Sequence, residues 1–156
     1  MSEAPGTRIS KEIVATMLEH VPHMRELGLE IVELGQGNAI FRLAYQDRLV
    51  GDPETGVLNG GVITTVIDSV SGIAAQTALR KPVTIATLDL RIDYLRPSTP
   101  GRPLIARAEC YKVTRHVAFT RATAWNDDPG DPLAHCVGTF MLASPSIRPR
   151  RDKAAA

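Results

Sequence analysis

The sequence has little of what would mark its chemistry at once. It carries two cysteines in 156 residues and no Cys-x-x-Cys pair, so no disulfide framework, zinc ribbon or dithiol redox motif is on offer. Cys110 and Cys136 both fall in strand-like segments and read as buried free thiols in a reducing cytoplasm. There is no excess of charge: a net +1 points neither to nucleic acid nor to an anionic membrane surface. The first residues, MSEAPGTRISKE, are polar and contain no apolar core of a secretory signal. The longest weakly polar stretch, Gly60 to Leu79, is broken by Asp68, three threonines, two serines and Gln76, which argues against a membrane span.

Several site signatures are also missing. His20 and His23 flank Pro22 with no acidic or thiol partner nearby, so a surface pair is expected rather than a metal site. His116 sits in a turn and His135 alternates with Leu133 and Val137 as a strand residue. Ser69 and Ser71 have no G-x-S-x-G elbow around them. Gly35-Gln36-Gly37-Asn38 lacks the third glycine and following helix of a phosphate loop and reads as a hairpin turn. No metal and no cofactor are called for, and neither nucleic acid nor membrane is expected as a partner.

What is present is ordinary in amount and distinctive in order. The composition, 44% apolar and 22% charged, is that of a globular domain large enough to bury its own core. Residues 10–20 suit a short amphipathic helix capped by Ser10 and stopped by Pro22. Residues 28–34 and 38–45 read as two strands, and 47–58 as a loop. Val62 to Ile67 is β-branched and favours a strand by propensity alone. About 18 residues continue without a turn signal, however, and Asn59 is a good N-cap. Val62, Val66, Val70 and Ile73 also keep helical spacing, so a long helix is expected. Four strands follow, at 83–95, 104–113, 117–126 and 133–142, closing an antiparallel meander. Strict alternation in the first puts Leu88, Leu90, Ile92 and Tyr94 on one face. Thr87, Asp89, Arg91 and Asp93 fall on the other. The class is α+β, an antiparallel sheet around one central helix. The expected division is a helical segment at 1–24, the main domain at 25–144 and a disordered basic tail at 145–156.

Asp68 is the one ionisable side chain between Gly60 and Leu79. A carboxylate midway along a buried-looking helix is costly unless paired or useful. It either meets an arginine of the sheet, such as Arg91, or faces solvent, or does chemistry. Asn59-Gly60-Gly61 at the helix start offers unpaired N–H donors at the positive end of the dipole. Glycines there allow close approach of a ligand. Such donors can stabilise an oxyanion, although a plain capped helix start has the same sequence.

Together the two features resemble the hotdog-fold acyl-CoA thioesterases of the phenylacetyl-CoA and medium-to-long-chain type. The resemblance lies in NGGVITTVIDSVSGIAA, where that family reads His-Gly-Gly, six residues, then Asp. It continues in the strand, proline turn and meander from Thr87 to Leu142. It implies a hotdog fold, a homodimer or homotetramer, an acyl-CoA substrate and thioester hydrolysis without a cofactor. It assigns Asp68 as nucleophile or general base, the Gly60 N–H as carbonyl donor, and Thr87 as a residue that positions water. Asn59 stands where the family has histidine; its amide can cap and donate but cannot titrate. Asp52-Pro53-Glu54 occupies a loop that in the family carries a polar residue near the thioester. Gly61, Arg96 and Arg115 are candidate substrate contacts, the arginines for phosphates, as are Arg102 and Lys112. The rival expectations are a hotdog hydratase or dehydratase and a non-catalytic acyl-CoA binder.

Overall fold

The computed structural model describes residues 9–142, so the expected tail at 145–156 lies outside the described residues. Ser10 begins the first helix, α1 (Lys11–His20), by accepting the Ile13 N–H on its hydroxyl. Pro22 does end α1, but it also starts a second helix, α2 (Pro22–Leu27), which the sequence pattern did not show. At a first-turn position its missing N–H costs nothing. Gly28, at φ 69°, closes α2 in the left-handed conformation. The division expected between residues 24 and 25 therefore falls inside a helix. Val14 and Leu27 belong to the same core as the central helix, so this segment is part of the domain's packing.

Strands β1 (Leu29–Gly35) and β2 (Asn38–Leu43) form the expected hairpin. The segment expected as a loop holds a single 3-10 turn and a two-stranded ribbon, β3 (Val50–Asp52) with β4 (Val57–Leu58). Gly51 lies against the next helix start. A Cβ at this position would sit 2.9 Å from the Asn59 Cα, so only glycine lets the ribbon close on it.

The long helix, α3 (Gly60–Thr77), forms despite its β-branched start. Its Ile63, Val66, Ile67, Val70 and Ala74 are buried in one cluster with Phe41 and a set of small residues, Ala106, Ala108, Ala122 and Ala124. Burial of that face outweighs the local strand propensity, and the alanines let the helix lie close to the sheet. Strands β5 (Ile85–Tyr94), β6 (Leu104–Val113), β7 (Val117–Trp125) and β8 (Ala134–Leu142) complete a six-stranded antiparallel sheet in the order β1-β2-β6-β7-β8-β5. Only β6, β7 and β8 form a meander. The proline-containing link 95–103 is too long for a hairpin turn and carries the chain across the sheet, leaving β5 at the far edge with β8 as its one partner among the described residues. Among the described residues no helix is long and apolar enough to cross a membrane.

Candidate active site

The edge position of β5 decides what surrounds Asp68. One stripe of α3, at i, i+4 and i+8, runs beside this strand. Thr64 meets Tyr94, Asp68 meets Thr87, and Gly72 lies against Ile85. The Thr87 hydroxyl donates to Asp68 Oδ1 at 2.9 Å. Strict alternation had put Thr87 on the opposite face with Asp89. A β-bulge between Thr87 and Asp89 supplies the extra residue, Leu88, and shifts the parity. Thr87 reaches the helix on one side of the bulge while Leu90 and Ile92 join the core on the other. Arg91, the candidate ion-pair partner of Asp68, pairs instead with Asp93 at 3.1 Å.

Asp68 is half-buried and its second oxygen receives no hydrogen bond among the described residues. It opens into a cavity of about 230 Å³ whose other walls include Met17, Met24, Ile85 and Phe140. Cys136 lies near enough to feel it. Burial pushes that thiol up to about 11, and the charges of Asp68, Asp89 and Asp93 add to the rise. A thiol so protonated is a poor nucleophile.

The second half of the site is the start of α3. Asn59 adopts the extended cap conformation and its Oδ1 accepts the Gly61 N–H at 2.8 Å. That bond uses the Gly61 donor and leaves the Gly60 N–H, which has no acceptor among the described residues. The Gly60 carbonyl is held from outside the helix: the Tyr94 hydroxyl donates to it at 2.9 Å and lies 2.7 Å from Thr64 Oγ1. Tyr94 was legible only as a residue on the apolar face of its strand; nothing in its spacing announced this contact. Asp52 is engaged locally. Its carboxylate accepts the Thr55 hydroxyl and the Glu54 N–H, and these two bonds hold it below the usual carboxylate range.

The two arginines differ. Arg96 donates to the Pro97 and Asp131 carbonyls and lies 2.9 Å from an Asp131 carboxylate oxygen, so its guanidinium ties one loop to another. Arg115 is exposed and, with Arg80 and Lys81, rims a hollow of about 400 Å³ floored by Leu79, Val83 and Leu142. Among the described residues no cluster of His, Cys, Asp and Glu is placed to hold a metal ion.

Comparison with known proteins agrees with this architecture. The sequence model of the thioesterase superfamily matches residues 55–133, from the β3–β4 ribbon to the start of β8. A Halobacterium salinarum protein named as an esterase is 37% identical over 90 residues, a match that spans 58% of its length. The medium/long-chain acyl-CoA thioesterase YigI of Salmonella typhimurium is 30% identical over 136 residues, covering 79% of this chain and 86% of its own. A Pseudomonas aeruginosa protein of known crystal structure is 43% identical with a TM-score of 0.73, over 81% of this chain and 93% of that one. The chain belongs to the thioesterase superfamily, whose members hydrolyse thioesters, and has its hotdog fold.

Proposed function

We propose that the protein hydrolyses acyl-CoA thioesters in two-chain active sites, each with Asp68 of one protomer and Gly60 of another. The observation that carries this reading is the pairing of Asp68 with Thr87 in an apolar cavity beside the free edge of β5. The Gly60 N–H takes the thioester oxygen, as an unpaired donor at a helix start can. Asp68 either attacks the carbonyl carbon or removes a proton from the water that attacks it. The C–S bond breaks and the thiolate of CoA takes up a proton; the acyl group leaves as the acid at once when water attacks, or, when Asp68 attacks, after a water hydrolyses the mixed anhydride and restores the carboxylate. In this reading Thr87 orients the carboxylate through its hydrogen bond.

Geometry supports a dimer. Gly60 and Asp68 are eight residues apart on one helix, about 12 Å along its axis. An aspartate side chain cannot cross that gap. The unpaired edge of β5, with Leu88 about half-exposed beside it, offers a second copy a ladder of free backbone groups. Pairing of two such edges would bring the start of one α3 toward the Asp68 of the other and give two equivalent sites. The dimer, or a tetramer built from it, is the working form.

Arg115, with Arg80 and Lys81, receives the CoA phosphates; Arg96, tied into its loops, is left out of that role. The catalytic unit includes the α1–α2 segment, whose Val14 and Leu27 share the core of the central helix. The enzyme works in the cytoplasm, where its two thiols stay reduced.

The test is a panel of acyl-CoAs assayed for free-thiol release. Hydrolysis of one or more supports the reading. An enoyl-CoA absorbance change without thiol release would replace it with a hydratase, and thermal stabilisation by CoA without turnover would make the protein a binder.

A further inference from the structure

The Gly60 donor sits in the most mobile kind of backbone. Gly60 and Gly61 have no side chains to hold them, and glycine keeps more conformational freedom than any other residue. A donor lowers a barrier only if it is already aimed where charge develops. Something outside the two glycines must therefore hold the Gly60 peptide. Leu58 donates its N–H to the Ser98 hydroxyl at 2.8 Å, and Asn59 donates to the Leu49 carbonyl at 2.9 Å. Gly61 donates to Asn59 Oδ1 at 2.8 Å and Val62 to the Asn59 carbonyl at 3.0 Å. Of these five successive N–H groups, that of Gly60 alone has no acceptor among the described residues.

The Asn59, Gly61 and Val62 bonds lie within residues 49–62 and move with that segment. Two other bonds reach the helix start from one distant stretch of chain, on either side of the donor. Tyr94 holds the Gly60 carbonyl, and Ser98 holds the Leu58 N–H. Ser98 and Leu58 are both buried, so water does not replace the hydroxyl. The backbone after Ser98 is pinned in turn. The Thr99 N–H goes to Asn126 Oδ1 and the Asn126 amide donates to the Pro103 carbonyl, each at 2.8 Å, with Asn126 itself buried. Pro97, Pro100 and Pro103 restrict φ along the same link. The link 95–103 is a strut from the end of β7 to the start of α3.

We infer that Ser98 is a positioning residue for hydrolysis: through the Leu58 N–H, and opposite Tyr94, it holds the Gly60 donor in the direction the oxyanion requires. The inference rests on the thioesterase reading and adds to it a residue that never touches the substrate.

The experiment compares Ser98→Ala with Thr77→Val. Thr77 is a matched control: its buried hydroxyl also accepts a backbone N–H, that of Gly37, at 3.2 Å. It lies at the far end of α3, about 25 Å from Gly60 along the axis. Each variant leaves one N–H unpaired and lowers Tm. Ser98→Cys, with a weakly accepting thiol of similar size, makes the same test in milder form should Ser98→Ala not fold. The readouts are kcat and KM on an acyl-CoA and the ¹⁵N order parameter of the Gly60 amide. In Ser98→Ala, kcat falls by about tenfold, less than the roughly 10²-fold or more lost when an oxyanion donor is deleted. KM stays within about twofold, because the loss falls on the transition state. The Gly60 order parameter drops from about 0.85 toward 0.6. Thr77→Val leaves kcat within about twofold of wild type and that order parameter unchanged. Equal kcat losses in the two variants, or an unmoved Gly60 order parameter in the Ser98 variant, overturn the inference and leave the thioesterase reading standing. No hydrolysis of any acyl-CoA by the wild type removes both.

Discussion

The two halves of the stripe that α3 turns toward β5 are built for opposite tasks. At its start the backbone is exposed, Asn59 fixes the cap, and one N–H remains free. Eight residues on, Asp68 opens into an apolar cavity and keeps one oxygen free. The first is a hydrogen-bond donor that needs access to a substrate from outside. The second is a charge in a low-dielectric setting, where it acts more strongly than in water. One helix holds the two about 12 Å apart along its axis. In the proposed mechanism the chemistry therefore belongs to an assembly, while the fold belongs to the single chain.

The largest expected effect breaks the apolar half. Asp68→Asn keeps the shape and the Thr87 contact but removes the charge. Steady-state assays are expected to show turnover reduced by roughly 10²-fold or more, with an unchanged circular dichroism spectrum. Near-normal turnover in the folded variant would take Asp68 out of the mechanism. A smaller effect is expected at the donor half, from Tyr94→Phe. The ring remains against Gly60 while the hydroxyl bonds to the Gly60 carbonyl and Thr64 are lost. Tyr94 is a positioning residue in this account, so kcat falls by about tenfold and KM stays within twofold, since what is lost is placement of a donor in the transition state. Equal changes in kcat and Tm across Tyr94→Phe and Thr64→Val would mean that the contact only holds helix to strand.

The smallest effect sharpens the comparison at Asn59. Asn59→His replaces the amide oxygen that accepts the Gly61 N–H with an imidazole nitrogen that can still accept it, so the cap persists. It leaves the Gly60 N–H in place, so the rate changes by less than in Asp68→Asn. Abolished activity in a folded Asn59→His protein would give this asparagine a chemical role of its own.

How much of this the sequence disclosed follows the range of the interactions. The α3 helix was legible against its own β-branched start because its length, cap and apolar spacing all agree. The three-strand meander was legible because each strand alternates cleanly between turns. The place of β5 was not, since nothing within the strand records that its partner is β8 rather than β6. The bulge at Leu88 was hidden for a related reason: one extra residue reverses the parity of everything beyond it, and strict alternation cannot register that. Asp68 stood out as a lone charge on an apolar helix. Tyr94 did not, because alternation only groups it with the apolar face of its strand, and the contact of its half-exposed side chain with the Gly60 carbonyl lies 34 residues away in sequence. Pro22 reads as a stop because a proline that ends one helix and one that begins the next look alike in sequence.

The claim that the site is shared between chains is tested most directly by mixing two inactive variants. Asp68→Ala removes the carboxylate. Gly60→Pro removes the donor at a first-turn position, after an Asn59 already extended at φ −60° and ψ 135°, and where a Cβ meets Tyr94 no closer than 3.7 Å. In a mixed dimer one site inherits both defects and the other inherits neither. Random exchange makes about half of the dimers mixed, each with one intact site of two, so thiol release recovers to about a quarter of wild type. Subunits shown to exchange by a labelled-chain assay, in a mixture that still releases no thiol, would contradict the shared site.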